Sequence, residues 1–130
     1  MSDAPAQCLT AIVPCNDLDA SEAFYNRLGF TRPEDAGVYE GYRILADGKG
    51  GHLHLTEAVP GWVENGRNPF GLYLYTPDVD ALAAAFFGEV IEKQGPSHKH
   101  WGMYEFALSD PDGTLVRIGW PSRLIGFRTG

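Results

Sequence analysis

The sequence predicts an α+β protein of two βαβββ modules, at about residues 8–58 and 70–122, in a single domain of 130 residues. Three observations carry this expectation. Asp17-Leu18-Asp19-Ala20 and Asp78-Val79-Asp80-Ala81 open two helical patterns with the same motif. Each copy follows a short apolar run, Ile12-Val13 or Leu72-Tyr73-Leu74-Tyr75, and leads through a helix to strand-like stretches. Turn residues crowd the segment Pro60–Pro69 between the copies. A repeat that occurs only twice points to a duplicated half-domain rather than a solenoid. Two such halves packed together leave a groove, and function is expected there.

Each element has a local reason. Residues 8–15 read as strand. Asn16 or Asp17 caps the following helix, in which Phe24 and Leu28 share a face. Gly29 ends it, where a positive φ costs glycine nothing. Phe30 starts a new extended segment. Gly37–Ala46 and Gly51–Glu57 form a hairpin, with Asp47-Gly48-Lys49-Gly50 as its turn. In the second half a strand spans Gly71–Thr76 and a helix about Val79–Phe87, with Val79, Leu82 and Phe86 on one face. Val90–Lys93 is expected as a short strand. Met103–Leu108 and Leu115–Trp120 are two more, joined by Asp110-Pro111-Asp112-Gly113. In the tail, Leu124 and Phe127 are expected to pack. The order β-α-β-β-β excludes a doubly wound sheet, which alternates strand and helix. It suits mixed sheets with helices on one face, whose open faces curl into a cup.

Composition narrows the function. The formal net charge of −7 disfavours nucleic acid and anionic membranes, and weakly favours cationic ligands. No apolar run approaches a membrane span. Met1–Gln7 has neither the basic nor the apolar region of a secretory signal, so a cytoplasmic location is expected. Cys8 and Cys15 are then expected as thiols. Neither has an activating partner nearby in sequence.

Two stretches carry a family resemblance. Phe24-Tyr25-Asn26-Arg27-Leu28-Gly29-Phe30 after Asp17 resembles a helix end of the vicinal oxygen chelate superfamily, also known as the glyoxalase/bleomycin resistance protein/dioxygenase superfamily. The run from Trp101 to Leu108, followed by Asp110-Pro111-Asp112-Gly113, resembles the C-terminal signature of its bleomycin-resistance branch. The similarity covers about residues 8–120. It implies paired βαβββ modules, a cupped cleft and a homodimer. It also implies ligand positions, in the metal-dependent members, at about Thr10, His54, Gly71 and Arg117. Only His54 is a good donor there. Gly71 has no side chain, and Arg117 offers no acceptor. A divalent ion needs several converging N or O ligands. No metal and no cofactor are therefore expected. His98 and His100 read as surface groups of a loop.

Strand alternation selects the cleft residues. His52 and His54 share one face of their strand, with Leu53 and Leu55 on the other. Tyr73, Tyr75 and Arg117 are expected to face the cup, while Leu72, Leu74, Val116 and Ile118 form the core. Trp101 is assigned to the ligand on the resemblance, with Tyr42 as a lesser candidate of the same kind. Trp62 fits a stacking surface and a lid over the core equally. An aromatic cleft with a few polar groups suits a planar small molecule. It lacks a nucleophile–base–orienter set. The expected function is metal-free binding of a drug- or antibiotic-type molecule, with no catalytic residue. The alternative is a lyase or dioxygenase of the same superfamily with an atypical metal site.

Overall fold

The computed structural model describes residues 7–125 of the chain. The expectations for residues 1–6 and for Phe127 lie outside them. The chain divides into two compact units between Val63 and Glu64, inside the turn-rich segment.

The first unit runs β1 (Ala11–Cys15), α1 (Leu18–Arg27), β2 (Tyr42–Ala46) and β3 (His52–Glu57). Its sheet has the order β1-β3-β2, with β1 parallel to β3 and β2 antiparallel to it. Asp17 caps α1: its carboxylate accepts from the Ala20 N–H at 3.1 Å. Gly29 follows at φ 97°, the left-handed value that glycine adopts freely. Phe24, Tyr25 and Leu28 of the helix region are buried with Val13, Leu45, Leu53 and Leu55 of the sheet.

One expected strand is reduced here. The extended segment after Phe30 makes a single antiparallel bridge, Thr31 with Ala46. Pro33, two residues on, has no N–H with which to extend that ladder. Tyr39 makes a second isolated bridge with Tyr42, so the strand of the expected hairpin begins at Tyr42 rather than Gly37.

The second unit runs β4 (Gly71–Tyr75), α2 (Val79–Ala85), β5 (Ser97–His98), β6 (Met103–Ser109), β7 (Leu115–Pro121) and the short α3 (Ser122–Ile125). Its sheet order is β4-β7-β6-β5, with β4 parallel to β7 and the other pairs antiparallel. This is a full βαβββ module. Phe106, Leu108, Val116 and Ile118 are buried with Val79 and Phe86. Leu72 and Leu74 are only half-buried, because β4 is the edge of this sheet.

Val90–Lys93 is not a strand; the strand before β6 is β5. Only Ile91 makes a ladder-like bond, its N–H donating to the Ala107 carbonyl at 2.9 Å. The Ala107 N–H donates instead to the Glu92 carboxylate at 2.9 Å. A side chain thus takes the place of backbone, and the chain turns at Gly95 before pairing.

The two long hairpins use one turn device. Asp47 Oδ1 accepts from the N–H groups of Lys49 and Gly51, each at 2.8 Å. Asp110 Oδ1 accepts from those of Asp112 and Thr114, at 2.8 and 2.9 Å. The carboxylate of the first turn residue satisfies the backbone two and four positions on.

Candidate functional site

The eight candidate residues fall into two groups, one on each unit. In the first unit the pairing register puts Tyr42 and Ile44 of β2 on the same face as His54 and Thr56 of β3. The Tyr42 hydroxyl and His54 Nδ1 share a hydrogen bond of 2.7 Å, their rings edge to face at 5.3 Å. His52 lies exposed on that same face. Trp62 stands in the turn after Gly61 with 62% of its surface open. The unit also carries an open hollow of about 410 Å³, bordered by Arg32, Tyr39, Tyr42, Arg43 and Ile44. On the helix side, Glu22 of α1 is buried and accepts from Arg32 at 2.6 and 2.9 Å and from Arg43 at 3.0 Å. Its bonds from Arg32 hold the carboxyl below the usual range against the opposing effect of burial, with Arg43 adding to them.

The second unit gathers three candidates around a residue to which the sequence reading gave no role. Glu105, on β6, is 0% exposed. Its Oε1 accepts from the Tyr73 hydroxyl at 2.9 Å and from the Trp101 indole N–H at 3.0 Å. Its Oε2 accepts from Arg117 at 2.9 Å. Burial alone would raise the Glu105 pKa. The bonds from Trp101, Tyr73 and Arg117, with the Arg117 charge, outweigh it and hold the carboxyl below its ordinary value. Burial and then the bond to this anion push the Tyr73 phenol well above its ordinary value. Tyr73 is therefore a hydrogen-bond donor here, not a base.

What the cluster turns outward is ring surface. Trp101 is 52% exposed, on the turn between β5 and β6 closed by Gly102 N–H donating to the Lys99 carbonyl. Its ring meets His100 edge to face at 4.7 Å. Tyr73 and Tyr75 lie with ring centroids 4.7 Å apart, Tyr75 the more exposed. Arg117 keeps 42% of its side chain open but spends charge on Glu105. Expecting it as a freely available cation overlooked that partner. The missed signal is in the sequence: Glu105 is the sole charged residue in Met103–Ser109, four positions after Trp101.

The profile of the Glyoxalase/Bleomycin resistance protein/Dioxygenase superfamily matches residues 7–118. The chain belongs to this superfamily. Its α+β architecture of three- and four-stranded mixed sheets is the fold of that family. A bleomycin-binding protein solved in complex with bleomycin is 28% identical, with a TM-score of 0.69 over 89% of this chain and 98% of that one. A bleomycin resistance determinant encoded on the transposon Tn5 is also 28% identical, with a TM-score of 0.72 over the same shares. A lactoylglutathione lyase from Agrobacterium tumefaciens shares the fold at 20% identity and a TM-score of 0.66, over 92% and 96%. No curated protein matches the sequence.

The donor set at the superfamily's metal positions does not fit a metal. Arg117 is a cation bonded to Glu105, and Gly71 has no side chain. His54 has one ring nitrogen engaged by Tyr42. Among the described residues no group of three or more His, Cys, Asp or Glu is placed to hold an ion. Nor is any helix among them long and apolar enough to cross a membrane. Neither cysteine forms a disulfide among the described residues, and Cys15 is buried with its thiol donating to the Val13 carbonyl at 3.4 Å.

Proposed function

We propose that this chain is a metal-independent binding protein for a planar, drug- or antibiotic-type small molecule. The observation that carries the reading is the state of Trp101 and Tyr73. Their polar edges are both bonded to Glu105, so what they offer a ligand is ring face. Flat faces held in place suit stacking, worth about 0.5–1.5 kcal/mol per aromatic pair beyond buried area. The likeness to a protein solved with bleomycin supports the same class of ligand. In this reading Tyr75 extends the stacking surface of its own unit and the open part of Arg117 supplies a polar contact there. Tyr42, His52, His54 and Trp62 are proposed as ligand contacts of the first unit. The two units act as halves of one domain, and the chain as a homodimer.

Calorimetric titration with bleomycin, in buffer freed of metal by a chelator, is the test. We expect saturable binding that weakens about tenfold in Trp101→Ala and in Tyr73→Ala, the equivalent of about 1.4 kcal/mol. Wild-type affinity in both variants would place the site elsewhere. One tightly held metal ion per purified chain, lost in His54→Ala, would overturn the metal-free reading in favour of a lyase or dioxygenase.

A further inference from the structure

We propose that Glu105 is the positioning residue of this aromatic site, and that Gly119 is the clearance that lets it act. The inference rests on the binding reading above. One carboxylate collects donors from three separate pieces of chain: Tyr73 on β4, Trp101 on the turn before β6, and Arg117 on β7. The strand ladders alone would not bring Tyr73 to it. Tyr73 lies opposite Arg117, whereas Gly119 lies opposite both Tyr75 and Glu105. The Tyr73 side chain therefore runs diagonally across position 119 to reach the carboxylate.

That path exists only because residue 119 is glycine. A Cβ there would collide with the Tyr73 hydroxyl and lie 2.8 Å from the Glu105 Cβ and 3.1 Å from the Tyr104 carbonyl oxygen. Gly119 is not among the glycines with positive φ, so the requirement is for space and not for backbone conformation. Trp101 needs an anchor for a different reason. It is half-exposed on a hairpin turn, where a side chain samples several rotamers. Its indole N–H on a buried anion selects one of them. Ordering the two rings before a ligand arrives removes part of the entropic cost of binding. Glu105 is fully buried, so it acts through the rings and not by touching the ligand.

The test reads ring position without a ligand and affinity with one. In 15N-labelled protein the chain's three tryptophans give three indole N–H resonances, and that of Trp101 is assigned by its loss in Trp101→Phe. We expect Glu105→Leu to move this resonance toward the position of a solvent-exposed indole. Glu105→Gln, which keeps an acceptor but no charge, should move it part of the way. Gly119→Ala should displace Tyr73 from the carboxylate and, through its contact with the Glu105 Cβ, move the Trp101 resonance less than Glu105→Leu does. Affinity for metal-free bleomycin should fall about tenfold in Glu105→Leu, recover in part in Glu105→Gln, and fall about threefold in Gly119→Ala. An unmoved Trp101 resonance in a folded Glu105→Leu or Glu105→Gln protein overturns the proposal. So does wild-type affinity in all three variants. If Glu105→Leu does not fold, Glu105→Gln and Gly119→Ala carry both readouts. Should wild-type protein bind no bleomycin, the binding reading fails for that ligand, and the indole resonance still decides the positioning role.

Discussion

Each unit buries one glutamate among hydrogen-bond donors, and the two do so on opposite faces of equivalent sheets. Glu22 comes from a helix and meets two arginines on the helix side of β2, beside the buried Leu45 and Leu55. Glu105 comes from an interior strand and meets one arginine, one phenol and one indole on the face turned away from α2. A carboxylate among arginines between helix and sheet ties elements together. A carboxylate among aromatic donors on an open face aims rings. The chemistry of the hub is the same, and its face and partners set what it does.

The repeated motif makes a second comparison. In both copies the second aspartate joins its helix to the equivalent strand: Asp19 takes Arg43 of β2 at 3.0 Å, and Asp80 takes the Tyr104 hydroxyl of β6. Burial and then the bond to Asp80 push the Tyr104 phenol up to about 12. The first aspartates differ. Asp17 has an extended backbone and caps α1, while Asp78, at φ −88° and ψ 36°, makes no side-chain cap bond to α2. Sequence identity at the motif thus preserves the strut and not the cap.

The sharpest way to break the first comparison is Glu22→Ala. It leaves the half-exposed Arg32 without its carboxylate and Arg43 with the Asp19 carboxylate alone, and is expected to cost about 1–2 kcal/mol, roughly 5 °C in Tm, because the arginines keep access to water. The Trp101 environment and ligand affinity should not change. Calorimetry together with the Trp101 indole resonance checks both. A loss of ligand affinity in a folded Glu22→Ala protein would erase the distinction between the hubs.

Acid should sharpen it next. Both carboxyls are held below their unfolded values. Each contributes stability in full above the ordinary carboxylate pKa of about 4.3, and that contribution is lost as pH falls through the lower folded value. Urea midpoints should therefore drop between about pH 5 and pH 2, and Glu105→Gln should flatten part of that slope. A Glu105→Gln profile as steep as wild type would mean that Glu105 is not ionised in the native protein. The smallest effect tests the motif. Asp17→Ala should cost about 1 kcal/mol by loss of the cap bond, and Asp78→Ala only a few tenths. Equal costs in denaturant melts would refute the asymmetry.

Much of the fold is legible in the sequence because its signals are local. Asp17, Gly29, Asp47 and Asp110 each act on backbone within a few residues of themselves. The alternation in Gly71–Tyr75 exposes Tyr73 and Tyr75 as the pattern implies. The failures are non-local. Val90–Lys93 looks like strand until Glu92 replaces a ladder bond, and the segment after Phe30 looks like one until Pro33 ends its pairing. Glu105 reads as one acid in an apolar strand. Its three donors stand 32, 4 and 12 residues away, and they meet only through strand pairing, the turn that carries Trp101 and the gap at Gly119. Arg117 likewise reads as a cation awaiting a ligand because its counter-charge lies on the neighbouring strand.

The bare hydrogen at position 119 also has a consequence for descent. Any side chain there evicts the Tyr73 hydroxyl from Glu105, whereas losing Tyr73 leaves the glycine unharmed. The glycine must therefore be in place before the hydroxyl can reach the carboxylate in any lineage that acquires this arrangement, and it can outlast the tyrosine in one that abandons it. Homologues should show Gly119 without Tyr73, and Tyr73 in this pose only with Gly119, so that the pair records a one-way dependence within the site.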